Sequence, residues 1–364
     1  MISPSRVGSR RILLIAEDLN PGGALLVLQR VLDFFTETGF DVIAITGTPE
    51  HISGSTRYIQ VDTDARKGGW GVRGRLAEVL PARRLLARYK PELVIVHATS
   101  PGYLYAMMFA GLPVVYHLHT IIEPRRGWMR RLVYPRLRGE NKRVVVGSVW
   151  QKGNVHAEWG MSDHKVQILP GYPDRRVEMR ASRDIILTAG RLHWAKNPEL
   201  WRDVGERLGP ALHAHGLRMI WCSPLVPNRE RMDPRNLPRS LEVIELPKST
   251  QLETYLSHAL LYYQPSVRET QGLAVLEAMQ NGIPCVVTEN TGMTDAVMDG
   301  WNGRVLPQND AASHAEAIID LLDNPARAAE WGSRARELIE TRYTALAWKN
   351  AYRELLSSVL RSPV

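Results

Sequence analysis

The chain has 364 residues, two cysteines and a formal charge of +8; that length exceeds what one hydrophobic core usually supports and predicts two domains of roughly 150 to 200 residues each. Cys222 and Cys285 each lie in an apolar run, which excludes a disulfide framework and a cysteine zinc site and fits a reducing compartment. No run approaches the ~20 apolar residues of a membrane-spanning helix, so the expected setting is the cytoplasm, either free or peripheral at the inner face of the membrane.

The opening MISPSRVGSRRILLIAEDLN sets basic residues before an apolar segment. ILLIA is too short for an export-signal core, and Glu17 and Asp18 follow at once, so a first strand is predicted. From there β-branched runs alternate with amphipathic segments, the pattern of a parallel sheet covered on both faces. Strands are predicted at 11–16, 41–46, 57–61, 92–98, 113–119 and 143–148, with helices at 24–38, 75–89, 101–110 and 149–158. The aperiodic stretch LPGYPDRRVEMRASRD, with two prolines, a glycine and mixed charges, places a linker at 170–183. Strands follow at 184–190, 217–222, 241–246, 259–264, 284–288 and 303–307, and helices at 197–208, 250–257, 272–281, 293–299 and 310–322. Residues 325–360 are helical, with Tyr343, Trp348 and Tyr352 on one stripe that predicts packing. The fold class is α/β, two doubly wound domains facing each other across a cleft. The expected divisions are 1–172, 173–342 and a C-terminal helix at 343–364 packing back on the first domain.

The charge is uneven. Residues 1–170 hold 23 Lys and Arg against 14 Asp and Glu, and the remainder holds 23 against 24. Two clusters dominate: Arg66, Lys67, Arg73 and Arg75 around Trp70, and Arg125, Arg126, Arg130, Arg131, Arg136 and Arg138 around Trp128 and Tyr134. Solvated arginine-rich helices explain them as well as contact with an anionic membrane does; nucleic acid is the least favoured partner.

In open α/β domains ligands sit beyond the C-terminal ends of the strands, so polar residues there carry the functional reading. After the first strand, Pro21, Gly22 and Gly23 let backbone approach a ligand at a helix start. This is not the GxGxxG fingerprint, and no acidic residue stands at a second-strand end to hold a ribose, which disfavours a nicotinamide dehydrogenase. His97, His117 and His119 fall at neighbouring strand ends, where imidazoles can donate to substrate hydroxyls or move protons. Arg191 and Lys196 in TAGRLHWAKNPEL are two cations suited to a pyrophosphate and a developing leaving-group charge. No further ligand completes a metal site, and the short Asp62, Thr63, Asp64 motif is weak ground for one.

The most informative segment is SVRETQGLAVLEAMQNGIP, from Ser266 to Pro284. Glu277 is the one charge in the apolar run LAVLEAM, and a buried carboxylate needs a partner to offset several kcal/mol of desolvation. A hydrolytic acid and nucleophile stand ~5 Å apart, whereas eight mostly helical residues from Glu269 to Glu277 span ~12 Å. The pair is therefore read as gripping two ends of one long ligand. Thr270, Gln271, Gly272 and Leu273 form a turn whose amides suit a phosphate.

Taken in order, Gly22 and Gly23, His119 in PVVYHLHT, Ser148, GRLHWAKNPEL, the paired glutamates of PSVRETQGLAVLEAMQNGIPCVV and DGWNGRVL resemble the retaining glycosyltransferases of family 4 over most of the chain. That resemblance implies the GT-B fold of two Rossmann-like domains and transfer of a hexose from a nucleotide diphosphate sugar to a hydroxyl acceptor, without metal or cofactor. By resemblance, Arg191 and Lys196 hold the donor pyrophosphate, Glu277 the ribose hydroxyls and Glu269 the sugar hydroxyls. The amides of Gln271 to Leu273 lie near sugar and phosphate. His119 sits at the reacting sugar, with His97 and His117 on the acceptor side. The acceptor is thought to attack from the leaving-group face while the departing phosphate takes its proton. The sequence departs from the family at ILPGYPD, where Asn-Gly is usual, and at Thr291, Gly292, Met293, where Gly-Gly is common. The ETQGL form is similar to lipid glucosyltransferases and favours a UDP-sugar over a GDP-sugar; a lipid or cell-envelope glycan acceptor would give the basic clusters a purpose. Rival readings are a nucleotide-sugar epimerase or phosphorylase, or a non-catalytic nucleotide-binding scaffold.

Overall fold

The computed structural model describes residues 10–16, 22–46, 57–60, 87–98, 111–122, 139–225, 237–247, 249–360 and 364. Both basic clusters, the Asp62 to Asp64 motif, Pro21 and the helix expected at 101–110 lie outside them, as does most of the helix expected at 75–89. Two compact units form: one of Met1–Gly147, Lys152–Leu169 and Lys349–Val364, the other of Ser148–Gln151 and Pro170–Trp348.

In the first unit β1 (Arg11–Ala16), β2 (Asp41–Thr46), β3 (Arg57–Gln60), β4 (Leu93–Ala98), β5 (Val114–Leu118), β6 (Lys142–Val146) and β7 (Val166–Ile168) make one parallel sheet in the order β3-β2-β1-β4-β5-β6-β7. The three-residue β7 was not anticipated; so short a run shows no periodicity of its own, and only pairing with β6 makes it a strand. Alternation puts Leu13 and Ile15 of β1 with Val94 and Val96 of β4 on one buried face. In the last helix, Ala345–Leu360, Tyr352 is fully buried and packs its ring edge-on to Phe34 at 5.0 Å, while Lys349 pairs with Glu37 at 2.6 Å.

In the second unit β8 (Ile185–Ala189), β9 (Arg218–Pro224), β10 (Leu241–Leu246), β11 (Ala259–Gln264), β12 (Cys285–Thr288) and β13 (Gly303–Leu306) form a parallel sheet ordered β10-β9-β8-β11-β12-β13. Odd residues of β8 (Ile185, Leu187, Ala189) enter one core and Ile186 enters the core on the opposite face, so a run buried on both faces reads as continuously apolar.

Two helix expectations needed revision. The helix expected to stop at 208 spans Pro198–His215 and passes through Pro210, because Leu212 extends the buried stripe of Val204 and Leu208 by one more turn. The helix expected at 293–299 is a single tight turn, Gly292–Asp295. Beyond it, Asn302 accepts from the Met298 amide at 2.7 Å and donates to the Ala296 carbonyl at 3.0 Å, closing a loop where a longer helix would have continued.

Each sheet reverses its winding once, between β1 and β4 in the first and between β8 and β11 in the second. At such a point successive crossovers leave on opposite faces and a crevice opens beyond the strand ends. The loops flanking it are the ones that carry the predicted residues.

Candidate functional site

In the second unit, the segment leaving β8 and the segment leaving β11 are stitched together by backbone. Val267 and Arg268 both donate to the Ala195 carbonyl, at 3.0 and 3.1 Å. Asn197, in the left-handed conformation, caps the Pro198–His215 helix through its side chain and donates to the Gln308 carbonyl; Gln308 in turn donates to the carbonyls of Val267 and Glu289. Arg268 lies over the Trp194 ring, 4.9 Å from its centroid. These ties bring Lys196 against Glu269, and the two form a hydrogen-bonded ion pair. Gly190 makes room: its φ is +146°, and a Cβ there would stand 3.3 Å from Lys196 Cε. Arg191 follows directly and is exposed.

The Leu273–Gln280 helix begins at Gly272, which has φ +83° and offers no side-chain cap. Glycine is required there twice over, since a Cβ would also lie 2.8 Å from Met293 Cγ. With no cap, first-turn N–H groups remain available to an anion. Glu269 already takes the Thr270 amide at 3.1 Å, and its own carbonyl accepts from Gly292 at 2.8 Å. Gln271 is committed to structure through its side chain, which exchanges two 2.8 Å hydrogen bonds with the backbone of Gly171. Any contact it makes to a donor would run through its main chain. At the departures from the family, Gly171 is thus anchored by Gln271, and buried Thr291 donates to the Thr288 carbonyl at 3.0 Å.

Glu277 is 3 % exposed. Its Oε2 accepts from Arg175 Nη1 at 3.1 Å, the partner its burial demanded. Sequence reasoning missed Arg175, which sits in the aperiodic linker, 102 positions from the glutamate it serves. Asn281 was missed too. Buried one turn beyond Glu277, it donates to the carbonyls of Arg175 and Glu277 and accepts from the Val177 amide, clamping linker to helix. The signal was the asparagine itself, a polar residue closing an apolar run.

In the first unit, Gly22 and Gly23 open the Gly23–Glu37 helix, where Gly22 takes φ +152°. His97 and His117 face each other across the β4–β5 register. Their rings stack at 4.2 Å and 12°, and His97 Nδ1 lies 2.9 Å from His119 Nε2. His117 Nε2 pairs with Tyr352 Oη at 3.1 Å. Burial, then the neighbouring imidazoles, pushes His97 and His117 well below the usual histidine range, and burial lowers His119 to about 4. All three are neutral at pH 7. His97 and His117, expected on the acceptor side, are 0 % and 1 % exposed, so their partners are one another, His119 and Tyr352; His119 alone of the three is partly exposed. Stacked rings do not converge their nitrogens on one point, and among the described residues no group of three or more His, Cys, Asp or Glu could hold a metal ion. No described helix is long and apolar enough to cross a membrane.

Known proteins match both units. The family model for glycosyl transferases group 1 matches residues 174–338, and that for Glycosyltransferase Family 4 matches residues 21–172. A D-inositol 3-phosphate glycosyltransferase of Pseudarthrobacter chlorophenolicus is 25 % identical over 257 residues, covering 62 % of this chain and 60 % of that protein, so the chain spans under two thirds of this relative's length. A Rickettsia africae glycosyltransferase superposes with a TM-score of 0.78 at 11 % identity, covering 97 % of this chain and 99 % of that one. Anabaena HepE, solved with UDP-glucose, gives 0.74 at 16 % identity, covering 96 % and 99 %. With two Rossmann-like sheets, each wound about one switch point and each matched by its own family model, the chain belongs to glycosyltransferase family 4 and has the GT-B fold.

Proposed function

We propose that this protein transfers a hexose from a nucleotide diphosphate sugar, with UDP the favoured nucleotide, to a hydroxyl acceptor with retention of anomeric configuration. The observation that carries the proposal is the pairing of Lys196 with Glu269 at the C-terminal ends of β8 and β11, beside the uncapped Gly272 turn. A cation for a phosphate oxygen, a carboxylate for a sugar hydroxyl and backbone donors for the bridging diphosphate are the parts such a donor requires. Glu277, held by Arg175, fits a ribose diol as acceptor of two hydroxyl protons. In this reading the bond from the anomeric carbon to the diphosphate oxygen breaks as the acceptor oxygen attacks on the same face. The departing phosphate takes the acceptor proton, while Arg191 and Lys196 stabilise the charge that develops. HepE was solved with UDP-glucose, which supports the nucleotide preference. A lipid or cell-envelope glycan acceptor is proposed with it, on the strength of the basic, tryptophan-bearing clusters in residues 1–170.

The test is thermal unfolding with UDP, GDP, ADP and NAD, alongside Arg191→Ala. A nucleotide at a hundred times its Kd stabilises the fold by about 2.7 kcal/mol. UDP is expected to raise Tm in the wild type and not in the variant. A response to NAD alone, or to none of the four, defeats the donor assignment. With the donor fixed, product NMR reads anomeric configuration, and transfer to acceptors in anionic vesicles that weakens with salt supports the lipid class.

A further inference from the structure

The three histidines hold more information than their proximity to one another. Within the His97–His119 hydrogen bond one proton is shared between two nitrogens, and each neutral imidazole carries one N–H. If His119 donated, His97 would have to carry its own proton on Nε2. That atom is fully buried and has no hydrogen-bond partner among the described residues. An orphaned buried N–H is among the rarest features of native proteins, whereas a bare ring nitrogen in apolar surroundings forfeits only a weak acceptor. The other arrangement leaves His97 Nε2 bare, puts its proton on Nδ1 and directs it to His119 Nε2. His119 then accepts at Nε2 and must bear its proton on Nδ1, where it has no partner among the described residues. Stacking of His117 on His97 at 4.2 Å, with His117 itself held by Tyr352, keeps the His97 ring from turning.

We infer that His97 is a positioning residue that fixes the tautomer of His119, presenting its Nδ1–H as a hydrogen-bond donor to a substrate hydroxyl. The last step of that statement rests on the transferase reading above; the tautomer does not. Orientation of one catalytic side chain by the hydrogen bond on its other nitrogen is how buried partners act on histidines generally.

The experiment uses the full chain labelled with nitrogen-15 histidine and long-range proton–nitrogen correlation spectra, which separate the two tautomers, with His119→Asn to assign the signal. The wild type is expected to show His119 protonated at Nδ1. His97→Leu removes the donor and should return His119 to the commoner Nε2–H form, with kcat lowered at least about tenfold and the donor KM little changed. His97→Asn, whose amide can occupy the place of Nδ1–H, should restore the Nδ1–H form and most of the turnover. A wild-type His119 protonated at Nε2, or a tautomer unmoved by His97→Leu, overturns the inference. Should His97→Leu not fold, the wild-type and His97→Asn spectra still decide it. Should the wild type transfer no sugar, the transferase reading falls while the spectra judge His97 independently.

Discussion

At the scale of single residues the second unit is organised by two carboxylates with separate counter-charges. Glu269 is partly buried against Lys196, and Glu277 is almost wholly buried against Arg175. Pairs at this depth are costly to break from one side, because the remaining charge keeps its desolvation penalty while losing its partner. Arg175→Ala is therefore expected to destabilise the nucleotide-free protein by about 3 kcal/mol, measured by urea unfolding. Adding Glu277→Gln should recover a good part of that loss by removing the buried charge. If the double variant is as unstable as the sum of the two single ones, Arg175 acts by packing and not as a counter-charge.

At the scale of elements, the turn after β12 and the loop after β11 meet backbone to backbone. A Cβ on Gly292 would lie 2.0 Å from the Thr270 carbonyl oxygen and 2.6 Å from Ser148 Oγ. The Gly292 amide also holds the Glu269 carbonyl at 2.8 Å. The Thr270 contact is with backbone, which no side-chain rotation relieves, so the loop carrying Glu269 would have to move. Gly292→Ala is expected to cost several kcal/mol of stability and to weaken nucleotide binding. Gly300→Ala provides the contrast, since Gly300 has a positive φ, which Gly292 does not, and nothing lies within 4 Å of its Cβ; it should cost only about 1 kcal/mol of backbone strain. Equal effects of the two substitutions on nucleotide affinity would show that the close contact at Gly292 does not hold the Glu269 loop in place.

At the scale of the whole molecule, the histidine cluster makes folding stability depend on pH. In the folded chain His97, His117 and His119 stay neutral well below the pH at which free histidine protonates, His119 down to about 4. Between pH 6.5 and that value the unfolded chain binds protons that the folded chain does not, so stability falls as pH falls. Each histidine contributes a slope of about 1.4 kcal/mol per pH unit across its own window. Chemical unfolding from pH 7.5 to 5 should show this loss, and His117→Asn should flatten the slope. An unchanged slope would mean that the acid sensitivity comes from other groups.

Periodicity of apolar residues is a local property, and it was enough to place nearly every strand and the doubly wound class in the sequence. The turn at Gly272 and the carboxylate at Glu277 were legible for the same reason, because each contradicts the pattern of its own neighbours. The sequence could require a partner for Glu277 but could not name Arg175, which lies 102 positions away in a segment with no pattern. It grouped three histidines at strand ends. Only the register of β4 against β5, together with a tyrosine 235 positions beyond His117, decided which of them are sealed in and which is partly exposed. Local conformational preference is written in consecutive residues, whereas the pairing of buried polar groups depends on the order in which strands assemble, and that order exists only in the folded chain.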